Sequence, residues 1–361
     1  MKSKKISVFF VLAMCILSTS LLFGNCQKIK LVDLSLNSKL GNNGEGYGGK
    51  PIIMDVKFRG EQDTTAEISG VNFGAGKPAP LLWDDFESGL NLDPISPAPL
   101  IGSWIPSAAN VPFYSTRTSH SGGTSMLANS TAAGLQSHFN VALPDSRDFY
   151  VSFRFYYDYI PTPTGKMVLF NMFDDISSKP PEFITGATIT GLGEQWQSNL
   201  NLDLSGITAI SNYPILPVQD SWHHFEAIVR QSNANTSDGM VRLTINNQVV
   251  YSQIGIVTRE TAGKGWKAAS FFSEVSDFAG GAKAFIDDAY LSDTWARVEI
   301  GDAPTYSACT KREIQVSAVW AGNSIVIPKI HRGSFLSGDS VYVYVVNSDN
   351  TASDGFLIKL P

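Results

Sequence analysis

The stretch DSWHHFEAIVRQSNANTSDGMVRLTINNQVVY, residues 220–251, limits what this chain can fold into more than any other. Two runs alternate apolar and polar residues, and a loop of turn-forming residues, SNANTSDG, separates them, which predicts a β-hairpin. On the first run Phe225, Ala227 and Val229 share one face, while His224, Glu226, Ile228 and Arg230 share the other. On the second, Val241, Leu243 and Ile245 oppose Arg242, Thr244 and Asn246. One face is built for a core and the other for water or a ligand. The same alternation recurs in FYVSFRFYYDYI, and with 31 Gly, 18 Pro and no long helical period the expected class is all-β. A chain of 361 residues, 43% hydrophobic, has enough apolar material for two or more β modules.

The N-terminus carries an address. Lys2, Lys4 and Lys5 precede an apolar run from Ile6 to Phe23, the pattern of a secretory signal over residues 1–25. The string LLFGNC resembles the lipobox of bacterial lipoproteins, with Phe23 where Leu is usual. That resemblance implies lipidation of Cys26, export, and attachment at the bacterial outer membrane or cell surface through the lipid alone; the alternative is a secreted or periplasmic protein. Residues 26–50, rich in Gly and Asn, read as a flexible tether. Of three cysteines, Cys15 leaves with the signal and Cys26 is blocked by lipid, so Cys309 stands alone, without a disulfide framework, and reads as a small buried residue. Formal charge is −6, and without residues 1–25, which hold three Lys and no acid, about −9. A balance this acidic excludes nucleic acid as a partner.

Residues 51–80 hold two short alternating strands, and their string AEISGVNFGAG resembles the strand-and-turn signature of immunoglobulin-like IPT/TIG domains. Near the other end, VYVYVV, the turn SDNTASDG and FLIKL predict a hairpin that follows further short strands. Neither end alone makes an Ig-like sandwich of about 100 residues, and joined they come near one. The expected layout is an Ig-like domain from residues 51–80 and 299–361, split by a larger domain at residues 81–298; the rival is domains in series.

The middle block opens with LLWDDFESG, closes with AKAFIDDAYLSDTWARVEI and has the Trp-His strand of the hairpin between them. It resembles the concanavalin A-like jelly rolls, which include lectins, laminin G-like modules, glucanases and polysaccharide lyases. The resemblance implies two antiparallel sheets with an outer face that receives glycan or another extracellular macromolecule. Alternation assigns to that face Arg154 and Tyr156 from FRFYY, Asn171 from MVLFNMF, and Gln197 and Asn199 from EQWQSNL, beside His224, Glu226 and Arg230. Planar amides, Arg forks and an aromatic ring suit sugar hydroxyls, carboxylates and ring C–H faces.

Two functions follow from the resemblance. The glucanase branch needs Glu-x-Asp-x-x-Glu or Glu-x-Asp-x-Glu on one strand, and neither occurs. A lyase abstracts a proton beside a uronate carboxylate with Tyr or His as base and Arg neutralising charge, which would cast Tyr156, His224 and Arg154 in those roles. The Gln-x-His strand of several such lyases stands here as Gln195-Trp196-Gln197, without the His. The first expectation is therefore non-catalytic binding or adhesion, and the alternative is β-elimination of a uronate-containing glycan. Asp84, Glu87 and Asp288 would be neighbours if the first and last strands of the block pair, as in jelly rolls that hold a structural calcium there. His223 and His224, adjacent on a strand, point to opposite faces and make a poor metal pair, and no Cys-x-x-Cys or phosphate-loop motif is present.

Overall fold

The computed structural model describes residues 49–59, 64–96, 98–106, 111–129, 139–158, 166–173, 186–190, 195–202, 207–212, 218–259, 261–263, 265–276 and 283–361. The signal segment, Cys26 and all of the tether but residues 49 and 50 lie outside the described residues. Regular structure among those described is antiparallel β, apart from a single 3-10 turn at Tyr306–Ala308. The chain is all-β, as its alternation predicts.

Two large sheets enclose the main core. The first runs β15 (Gln248–Ile256), β14 (Gly239–Ile245), β13 (His223–Arg230), β8 (Asp148–Tyr157), β17 (Lys283–Ser292), β6 (Ser125–Asn129) and β5 (Phe113–Ser115), with β3 (Leu82–Asp84) paired further along β17. The second is seven-stranded: β12 (Ile207–Asn212), β11 (Gln195–Leu202), β10 (Gly186–Thr190), β9 (Lys166–Phe173), β16 (Ala268–Ser276), β7 (Phe139–Ala142) and β4 (Ile105–Pro106). Phe149, Val151, Phe153 and Phe155 alternate inward along β8 and meet Phe139, Val141, Phe170 and Phe271 from the facing sheet. Phe153 stacks on Phe225 with ring centroids 4.7 Å apart and meets Phe271 edge-on at 5.5 Å, so one aromatic cluster spans both sheets. Each such ring, fully withdrawn from water, contributes roughly 1.5–3 kcal/mol.

The hairpin of residues 220–251 forms with Phe225 opposite Ile245 and Val229 opposite Val241. Its second run, which reads as one strand, is broken by Asn246 and Asn247, both at positive φ (49° and 64°), into a tight turn that starts β15. Two successive left-handed residues match the twist of a hairpin, and Asn tolerates that conformation. A second irregularity matters for chemistry. β17 is bulged between Asp287 and Tyr290, with Asp288 at φ 52°, and both carboxylates of the Asp-Asp pair stay buried.

A smaller sandwich is assembled from both ends of the described chain. One sheet runs β1 (Ile52–Arg59), β2 (Thr65–Val71), β21 (Ser324–Ile327) and β20 (Val319–Ala321); the other runs β19 (Arg312–Gln315), β18 (Arg297–Gly301), β22 (Ser340–Val346) and β23 (Phe356–Lys359). Ala66, Ile68, Ile325 and Ile327 pack on Val298, Ile300, Val341, Val343 and Val345 between them. With Val298 and Ile300 turned into that core, alternation turns Arg297 and Glu299 the other way, onto the outer face of the eight-stranded sheet.

Candidate functional site

The polar face of β8 and β13 is covered. Trp83, Tyr150, Ile228 and Tyr290 of the large sandwich meet Trp295 and Ile314 in an apolar cluster that seals one part of the contact. Beside it lies a buried set of three Glu and three Arg: Glu226, Glu299 and Glu313 with Arg154, Arg297 and Arg312. Arg312 donates to Glu226. Tyr150 OH donates to Glu226 Oε1 at 2.9 Å, and Arg297 lies 3.3 Å from Glu299 Oε2 with its Cζ 4.1 Å from the Tyr150 ring centroid. Arg154 donates to Glu313 Oε2 at 2.7 Å and to the Arg312 carbonyl. Equal numbers of opposite charges, each hydrogen-bonded, are what a low-dielectric contact requires. Burial alone would raise the Glu226 carboxyl, and Arg312 with Arg297 hold it below the usual range. His224 accepts or donates one bond, to Ser152 Oγ at 2.8 Å, and burial with Arg154 and Arg312 nearby pushes its pKa well down, so it is neutral.

The eight residues expected on one ligand face therefore separate. Arg154, His224 and Glu226 are buried beneath the smaller sandwich, whose Arg312 and Glu313 pair with Glu226 and Arg154. Tyr156 sits at the same sheet's margin, its hydroxyl donating to Asp220 Oδ1 at 3.1 Å. Arg230 lies at the other end, paired with Asp148 through Nε at 2.6 Å and stacked 4.4 Å from the Trp295 ring centroid. Asn171, Gln197 and Asn199 belong to the other sheet, on β9 and β11. The side chains of β11 are outside those described, which leaves Gln197 and Asn199 with register alone: they pair with Thr188 and Gly186. Alternation sorts residues into faces, and it does not say which sheet a strand joins.

The outer face of the seven-stranded sheet carries a different polar row. Ser270 of β16 pairs with Asn140 of β7 on one side and Asn171 of β9 on the other. Phe139, Val141, Ala269, Phe271, Phe170 and Met172 flank these three and point into the core, so the row itself points out. Among the described residues Asn140 Oδ1 and Ser270 Oγ are buried without a hydrogen-bond partner, a state that costs about 1–3 kcal/mol per group, and Ser270 and Asn171 are themselves 0% and 1% exposed. Phe173, two residues from Asn171 and so on the same face, adds an aromatic ring that belongs to none of the apolar clusters. Asn140, Ser270 and Phe173 escape a reading of the sequence because each lies singly in a short apolar run.

The carboxylates expected as calcium ligands do not converge. Asp84 accepts from Trp104 Nε1 at 2.7 Å and from the Phe86 amide at 3.0 Å, and burial pushes its pKa up to about 6. Glu87 accepts from the amides of Gly123 and Thr124. Both thus serve as anchors for backbone turns rather than as free oxygen ligands. Asp288 instead lies with His120 and Glu313, whose ligand atoms come within 4.8 Å of one another.

The architecture is a β-sandwich with a second sandwich docked on one of its faces. No family model and no curated protein sequence matches the chain. Among solved structures it is similar to alginate lyase Aly36B (12% identity, TM-score 0.43, covering 59% of this chain and 97% of that one). It is likewise similar to the cellulose-induced protein Cip1 (15%, 0.42, 59% and 97%). A third likeness is to the endo-β-1,4-glucuronan lyase of the fungus Trichoderma reesei (11%, 0.41, 60% and 97%).

Proposed function

We propose that this is an exported recognition protein that binds glycan, without cleaving it, on the outer face of the seven-stranded sheet. The observation that carries this reading is the in-register row Asn140, Ser270 and Asn171, with two buried oxygens left without partners beside the Phe173 ring. Amide and hydroxyl groups of this kind exchange hydrogen bonds with sugar hydroxyls, and an aromatic face accepts the C–H side of a pyranose. Lipidation at Cys26 would hold the protein at the outer membrane or cell surface, with residues 51–80 and 299–361 as an Ig-like support. Binding is favoured over the lyase alternative by the positions of Arg154 and His224, which lie beneath the smaller sandwich with each committed to a bond there, while Tyr156, the third residue of that alternative, bonds Asp220 at the sheet's margin.

The test is a retention screen of the purified mature chain on immobilised neutral and acidic polysaccharides, read together with ultraviolet absorbance for unsaturated uronate. Retention without product, weakened at least tenfold in Asn171→Ala, is the expected result. Product formation would establish the lyase reading, and absence of both would leave a structural role in the envelope.

A further inference from the structure

Two loops of matching construction meet over the bulge of β17, one from each sandwich. The first contains His120, Ser121 and Gly122; the second contains His331, Arg332 and Gly333. Both glycines have positive φ, 64° and 53°, and each lies hard against a carboxylate. A Cβ at Gly122 would sit 2.3 Å from Glu87 Cδ, and one at Gly333 would sit 2.2 Å from Glu313 Cδ. Glycine is required there for backbone angle and for space. The effect of each turn is to swing the histidine two residues earlier into the contact between the sandwiches.

The two imidazoles cross that contact in opposite directions. His120 Nε2 of the large sandwich lies 3.0 Å from Glu313 Oε1 of the small one. His331 Nε2 of the small sandwich lies 3.0 Å from Asp288 Oδ1 of the large one. His331 Nε2 nevertheless lacks hydrogen-bond alignment, and Asp288 Oδ2, on a residue 3% exposed, has no partner. Ser121 Oγ donates to Asp288 Oδ1 at 2.7 Å, and Ser334 N and Oγ donate to Glu313 Oε1 at 3.2 and 2.9 Å, so the carboxylates are oriented from behind. Two buried carboxylates, Asp288 and Glu313, thus converge on the contact, and among the described residues Arg154 is the guanidinium paired with Glu313.

We infer that His120, His331, Asp288 and Glu313 form a site for one divalent transition-metal ion of the zinc type, which pins the smaller sandwich to the larger. Two nitrogen and two carboxylate donors are a zinc-like set, with bonds of about 2.0–2.2 Å. Imidazole donors disfavour calcium and magnesium, which take oxygen. The set differs from the Asp84, Glu87 and Asp288 trio in drawing two of its four ligands from the smaller sandwich. The ligand atoms of His120, Asp288 and Glu313 lie within 4.8 Å of one another, and His331 Nε2 reaches the group through Asp288 Oδ1 at 3.0 Å, so closing the four onto an ion needs side-chain shifts on the order of 1 Å or more. The histidine side chains keep 11% and 15% of their exposure, so an ion has a way in from the rim.

The test uses the full mature chain, stripped with chelator and titrated with Co²⁺, then displaced with Zn²⁺. The expected result is one equivalent of Co²⁺ with the intense visible bands of a tetrahedral site, bleached by Zn²⁺, and a thermal midpoint raised by the metal. His331→Ala and His120→Ala should each weaken binding more than tenfold, while His223→Gln, a buried histidine outside the site, should leave it unchanged. Should either alanine variant fail to fold, the wild-type spectrum still decides, since adventitious surface binding gives weak octahedral bands. No saturable binding, octahedral bands, or equal affinity in folded His331→Ala and His120→Ala overturns the inference and leaves the cluster as two histidine–carboxylate contacts.

Discussion

The two outer faces of the large sandwich begin alike and end differently. Each is the polar side of an alternating sheet: Arg154, His224 and Glu226 on one, Asn140, Ser270 and Asn171 on the other. The first row is charged, and charge of both signs arrives from the smaller sandwich to meet it in Arg297, Glu299, Arg312 and Glu313. The charged members find counter-charges, although His224 Nδ1 and the Nε atoms of Arg297 and Arg312 have no hydrogen-bond partner among the described residues, and the face becomes an internal contact. The second row is neutral, amide and hydroxyl, with two oxygens unanswered. Charge at a polar face here marks a joint, and the neutral row is the face proposed above for a ligand.

The largest effect should come from breaking the joint. Arg312→Ala leaves Glu226 and Glu299 buried with less than their countercharge, and removal of one partner from such a set costs about 3–5 kcal/mol. Urea unfolding should show that loss, and a change under 1 kcal/mol would mean that the face is wet. The next concerns pH. His224 is neutral when folded, its pKa pushed well below 6.5, whereas the unfolded chain takes up a proton near 6.5. A lowered histidine contributes stability that is full above that value and is lost as pH falls through it, by up to about 1.4 kcal/mol per pH unit. The difference in stability between wild type and His224→Gln should therefore narrow or reverse from pH 7 towards pH 5, and a difference independent of pH would show that His224 titrates freely. Smallest, and opposite in sign, is Ser270→Ala. Deleting a buried hydroxyl with no partner should leave stability unchanged or raise it by about 1 kcal/mol, while glycan retention falls. A loss of stability with retention intact would remove Ser270 from the ligand face.

The hairpin of residues 220–251 shows how far the sequence is legible. Its in–out pattern is right at every described position from Phe225 to Ile245, because burial of one face is a local, periodic property. What covers the opposite face is not local. The covering residues, Arg297 to Glu313, lie on strands whose own alternation carries charge away from their core, and nothing periodic links them to Glu226. The same limit explains why alternation places Asn171 with His224: the strand pattern is identical in both sheets, and sheet membership is set by pairing across long separations. The turn at Asn246 and Asn247 was legible in principle, as two adjacent Asn in an alternating run are a hairpin signal. So were the two His-x-Gly loops, whose likeness becomes meaningful once the fold brings both to Asp288.

The most direct measurement of the account is carboxylate footprinting of the native protein, read residue by residue by mass spectrometry. Glu226, Glu299 and Glu313 should stay unlabelled until global unfolding, while Asp238, on the exposed hairpin loop, labels at once. Labelling of Glu226 in the native state at the rate of Asp238 would contradict the closed joint and return that face to the solvent.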